Sequence, residues 1–253
     1  SFSIPPDTMG AVGIDQGVEM INGNFEVFDK ATGASLLSQD LNDFWISLGL
    51  TLPSGTFDPR IIYDPTVNRW FATSIDRGDG APGDPNNIYV AVCDGEDATG
   101  GAWTGFSFVG DTIDGNRFND FDTLGIDADG LFISTNNFGV GFDVSIYSIP
   151  KADLLLATPT IANLSRFENL DAATFGSAIQ GAVDFGTSDG RSVMLSASGS
   201  GRITRTDVLG ADAAGATLSV PVDIVVPAYA AAPQARQPGP DDIIENVSPR
   251  INS

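Results

Sequence analysis

An all-β fold built from repeated four-stranded units is what this sequence predicts, and three observations predict it. Helical periodicity is almost absent. The apolar runs are short, rich in Val, Ile and Phe, and punctuated by Gly, Asp, Asn and Pro, as strands joined by tight turns are. One pattern also recurs four times along the 253 residues: an apolar strand, a polar turn, a second apolar strand, then further strands.

The first occurrence is residues 11–20, followed by strands at 25–28 and 35–37. The second is 60–73, with a turn through 65–69 and later strands at 88–92 and 103–109. The third is 124–133, followed by 144–147 and 161–167. The fourth is 182–196, followed by 202–204 and 216–221. Four strands per unit, repeating at roughly 50 to 65 residues, is the pattern of β-propeller blades, whereas a sandwich has shorter and less regular units. The expected blades are 1–52, 53–112, 113–170 and 171–226. Residues 227–253 read as a Pro/Gly-rich connector carrying one terminal strand around Ile243, Ile244 and Val247. Helix is expected only around 151–156, with a second possibility at 172–179.

Charge narrows the function. Asp and Glu number 33 against 12 Lys and Arg, a net charge of −21, and there is no histidine. Such a surface repels phosphate backbones and anionic bilayers, so neither nucleic-acid binding nor membrane insertion is expected. Without histidine there is no Ser-His-Asp triad and no HExxH zinc site. The lone Cys93 forms no internal disulfide. High acid with lysine only at 30 and 151 is a composition suited to salt, and predicts a secreted, extracellular protein in a calcium-containing setting, with an ordinary acidic cytosolic protein as the alternative.

Calcium is therefore the expected cofactor, as a structural ion. It takes six to eight oxygens, which loops dense in Asp, Asn and Gly present well. One such loop contains Asp76, Asp79 and Asp84, and a second cluster contains Asp111, Asp114, Asp120 and Asp122. For the second, a calcium site and a solvated turn are both open readings. The segment 127–130 lacks the downstream ligands of an EF-hand and reads as a hairpin turn. A different acidic set follows from the repeat: Asp7, Asp58 and Asp120 or Asp122 each precede a first hairpin. First strands of blades line the central channel, so these carboxylates should converge. Arg60 or a metal ion would then neutralise them, or each simply caps local backbone N–H groups.

Several separated motifs resemble those of a group of secreted bacterial propeller proteins. They are Pro5-Pro6-Asp7-Thr8 with Gly10, Val12 and Gly13, then Asn24-Phe25 and Val27-Phe28-Asp29-Lys30. Further along come Asp58-Pro59-Arg60, Tyr63-Asp64, Arg69-Trp70, Asp120-Phe121 before Leu124-Gly125, Ser134-Thr135-Asn136-Asn137-Phe138, and Gln237-Pro238-Gly239. The resemblance covers nearly the whole chain, and implies fold and export rather than an activity. In that group a segment like Ser248-Pro249-Arg250-Ile251-Asn252 leads into further blades, whereas this sequence stops at Ser253.

The leading expectation is a non-catalytic, calcium-binding extracellular scaffold that self-associates through its C-terminal tail, by strand addition that gives filaments. A glycan-binding module is the alternative, with Trp45, Trp70, Trp103 and Phe71 either stacking on sugars or packing between blades. A carboxylate-dependent polysaccharide hydrolase or lyase is the third reading, since paired acids suffice for that chemistry. Arg77-Gly78-Asp79 spells an adhesion tripeptide, but in a Gly/Asp loop chance explains it.

Overall fold

A computed structural model describes residues 6–78, 85–100, 102–197, 199 and 201–230, with backbone pairing at 235–236 and 243–244. Four antiparallel sheets follow one another along the chain, each a meander in which successive strands pair. The first holds β1 (Met9–Val12), β2 (Gln16–Ile21), β3 (Asn24–Asp29) and β4 (Ser35–Gln39). A helix, α1 (Leu41–Ser47), leads to the second sheet, β5 (Phe57–Asp64), β6 (Arg69–Ile75), β7 (Asn87–Cys93) and β8 (Trp103–Val109). The third contains β9 (Arg117–Ile126), β10 (Gly130–Gly139) and β11 (Gly141–Pro150), then a helical turn α2 (Lys151–Leu154), and β12 (Ser165–Leu170) at its edge.

After the short helix α3 (Ala172–Phe175), the fourth sheet consists of β13 (Ser177–Gly181), β14 (Arg191–Ala197) and β15 (Arg202–Leu209). Its outer edge is divided between β16 (Thr217–Leu218) and β17 (Val222–Val225), which pair with opposite ends of β15. Pro221 has no N–H to give the ladder, so the edge breaks between the two. A separate hairpin pairs β18 (Ala235–Arg236) with β19 (Ile243–Ile244), so the expected terminal strand meets residues of its own connector.

Three elements differ from expectation. Helix α1 falls inside the expected first blade, outside the two stretches where helix is expected. Its signal is present nonetheless: Asp40 caps the Asn42 N–H, and Leu41, Phe44 and Trp45 follow at helical spacing with all three buried. The helix expected over 172–179 is limited to 172–175, because Gly176 takes a φ of 79° and ends it. The first strand of the fourth sheet then starts at Ser177, ahead of the expected 182.

The sheets are stacked in series. The first strands lie side by side, β1 against β5, β5 against β9 and β9 against β13, and three apolar layers fill the spaces between sheets. Alternation along the strands divides the side chains between layers. Ile61 and Trp70 face Met20 and Phe25 of the first sheet, while Phe71 and Val90 face Leu124 and Ile133 of the third. Phe132 and Ile146 turn the other way, toward Ile179 and Met194 of the fourth. Strands covered on both faces read as continuous apolar runs, as 88–92 does. The third and fourth sheets touch backbone to backbone: a Cβ on Gly125 would lie 2.5 Å from the carbonyl carbon of Gly181.

Candidate functional site

The first strands share a backbone device. Asp7, Asp58, Phe121 and Ala178 all adopt positive φ, between 43° and 53°, and a β-bulge follows in β5, β9 and β13. Left-handed geometry is tolerable for Asp and costly for Phe or Ala, so neighbouring structure must hold it in place. Asparagines of the preceding sheet do so at two junctions. Asn22 accepts the Asp58 N–H at 2.8 Å, and Asn136 accepts the Ala178 N–H at 2.8 Å. Asn22 also donates its amide to Asp7 at 2.6 Å, so a single side chain ties together the entries of the first and second sheets.

This device brings together the acids expected to converge. Asp58 is pushed up to about 8, first by burial and then by the charges of Asp122, Asp7 and Asp120, and it shares a hydrogen bond with Asp7. A carboxyl that keeps its proton at pH 7 has a hydrogen to donate to that bond. Asp122, fully buried, is raised to about 6 by burial, against the opposing effects of Arg60 and of the Thr73 hydroxyl 2.7 Å away. Its Oδ1 has no hydrogen-bond partner. Arg60 is fixed by donating to the Asp122 carbonyl at 2.7 Å and to the Met9 sulfur at 3.1 Å, with its guanidinium 5.3 Å from the Phe121 ring centre. Arg60, one of the two neutralising groups the sequence offered, thus stands beside Asp122, and the Asp58 carboxyl keeps its proton.

The loop acids are placed differently. Asp111 accepts the backbone N–H groups of Ile113, Asp114, Asn116 and Arg117, a cage of donors around a carboxylate. Asp114 bonds Asn169 at 2.9 Å and pairs with Arg117 at 3.4 Å. Asp76 is buried, its two oxygens taken by Gly78 and Asn87 N–H groups, the Asn87 amide and the Tyr89 hydroxyl. Asp79 and Asp84 lie outside the described residues. Among the described residues, no three acidic or thiol side chains are gathered closely enough to hold one metal ion. Asp127 accepts the N–H groups of Asp129 and Gly130, as a hairpin turn requires. The aromatic set weighed as a sugar platform is in the core: Trp45, Trp70 and Phe71 are buried completely and Trp103 nearly so.

Two polar clusters carry structure that sequence reasoning missed. Asn119 donates to Thr135, Asn137 and Tyr147 at 2.7 to 3.1 Å, while Asn86 clasps its backbone from the second sheet. The Ser134 and Thr123 hydroxyls both reach the Ile179 carbonyl of the fourth sheet. The segment 134–137 is therefore a polar seam between sheets. Elsewhere, Lys151 forms a buried ion pair with Asp64 and donates to the Asp127 carbonyl at 3.0 Å, joining the second sheet to the third. Their distance in sequence concealed the partnership.

Fold and junction together define a class: an all-β protein of serial four-stranded meanders, joined through the entries of their first strands and lined there by crowded carboxyl groups. Compared with known proteins, the sequence matches no family model and no curated protein.

Proposed function

We propose that the chain is a propeller-type, non-catalytic extracellular scaffold that assembles with copies of itself. The observation that carries this reading is the serial stack, in which every junction of the described sheets buries apolar side chains and polar clasps while the outward faces of the end sheets do not share in those layers. The nearby acids serve structure: Arg60, Thr73 and Asn22 are committed to holding strand entries in place. Calcium belongs to the proposal on the strength of the −21 charge, since bound cations offset self-repulsion and stabilise whatever state binds them. Thermal unfolding at low ionic strength tests it. The midpoint should rise with millimolar calcium and fall with chelator, and an unchanged midpoint removes calcium from the reading.

One observation favours a second reading, a carboxylate-dependent polysaccharide hydrolase or lyase. Asp58 is an acid that keeps its proton near pH 7 with further carboxyl groups close by, and an acid held protonated beside a second carboxyl is what glycoside cleavage uses. Release of reducing ends from acidic and neutral polysaccharides, lost in Asp58→Asn, would establish it.

A further inference from the structure

The left-handed entry residues give the repeat a register. Counting from each, the third residue onward faces the preceding sheet and the fourth faces the following one. Ile61 lies in the first apolar layer and Ile62 packs on the second; Leu124 lies in the second, and Gly125 meets Gly181 across the third junction. Ala11, fourth after Asp7, packs toward the second sheet as the rule requires. Among the described residues, Gly10 and Ala182 are then the unmatched members. Gly10 faces outward from the first sheet, where a preceding sheet would lie, and Ala182 faces outward from the fourth, where a following one would.

The faces around them are complementary. On the first sheet, Val12, Ile21 and Phe28 alternate with the inward Val18, Met20 and Val27, and Val12 is 63% exposed. Among them Glu19 and Glu26 stand directly opposite each other on β2 and β3, an arrangement of like charges that is unfavourable until a cation meets it. On the fourth sheet, Leu195, Ile203, Val222 and Ile224 alternate with the inward Met194 and Val208 and surround Arg205. Arg205 and Arg191 both bond to Asp207, at 2.7 and 3.0 Å, with Asp189 near enough to act on Arg205, so two guanidinium groups stand on an apolar face of a strongly acidic protein.

We propose that the outer face of the fourth sheet docks on the outer face of the first sheet of a second copy. Arg205 and Arg191 meet Glu19 and Glu26, and Ala182 meets Gly10 as Gly125 meets Gly181 within the chain. The interface joins unlike surfaces, so it is head-to-tail and either closes into a ring or extends as a fibre. The inference rests on the scaffold reading and specifies its contact.

Sedimentation velocity of the full chain over a concentration series tests it, with circular dichroism to verify folding. Glu19→Arg with Glu26→Arg disables the first face, and Val222→Glu with Ile224→Glu disables the fourth; these side chains lie outside the buried layers. The native chain should associate, and each double variant should do so at least about tenfold more weakly. An equimolar mixture of the two should recover a dimer, because one intact face of each kind remains. Gly10→Leu should weaken association without unfolding, since a Cβ there meets only the Val18 carbonyl at 3.5 Å. Association that survives both double variants but is lost on removing residues 231–253 overturns face-to-face docking and leaves the scaffold reading intact. A chain that stays monomeric throughout the series overturns both.

Discussion

Asp58 shows how one residue's environment reaches the stability of the molecule. Between its ordinary value of 3.8 and about 8, the folded chain holds a proton that the unfolded chain has released. Stability therefore falls as pH rises through that window, by at most about 1.4 kcal/mol per pH unit, and is level in this respect outside it. Asp122, raised to about 6, adds a slope of the same sign between 3.8 and 6. Asp58→Asn keeps the neutral shape and the donor. Urea unfolding should find it more stable than the native chain at pH 8.5, nearly equal at pH 4, and flatter between. Lys151 gives a contrasting case. Removing its ammonium leaves Asp64, which is wholly buried, as an uncompensated charge. Lys151→Met should cost about 3–5 kcal/mol, and Asp64→Asn in the same chain should recover part of it, because the desolvation penalty goes with the charge.

At the level of elements, helix α1 closes one side of the first apolar layer. Phe44 stacks on Phe25 at 4.5 Å, and Trp45 packs 5.6 Å from Tyr89 while its indole N–H donates to Ser74 at 3.2 Å. Trp45→Ala should destabilise by about 3–5 kcal/mol. Asp40→Ala, which removes only the cap, should cost about 1 kcal/mol; equilibrium denaturation separates the two. The strands were legible because apolar runs bounded by Gly, Asp and Pro have few other uses, and the convergence of Asp7, Asp58, Asp120 and Asp122 followed from their place in the repeat. The helix was not legible in the same way: seven residues carry too little periodicity to stand out beside strands equally rich in aromatics. Nor were the bonds of Asp111 and Asp76. Composition shows how many oxygens a loop holds, whereas which backbone N–H groups turn toward them depends on the path of the chain. The divided outer edge of the fourth sheet was announced only by Pro221.

For the whole molecule, the decisive feature is that each sheet packs on its neighbours in the chain. The first-strand contacts run β1–β5, β5–β9, β9–β13, and each apolar layer draws on two successive sheets. Among the described residues, the second and third sheets are covered on both sides by this series, and the first and fourth on one. Such a molecule behaves as a row of coupled units rather than as one indivisible core. Native-state hydrogen exchange should be graded accordingly: amides of β6, β7, β10 and β11 exchange last, and those of β14, β15 and β17 considerably sooner. Uniform protection across all four sheets would contradict a linear arrangement. The same feature bears on mechanics. Pulled from its two ends, a row of this kind yields one unit at a time, starting at an end, and gives a sawtooth of separate ruptures; the junction of the third and fourth sheets, whose apolar layer is the smallest of the three, is the seam at which the first of those ruptures should fall.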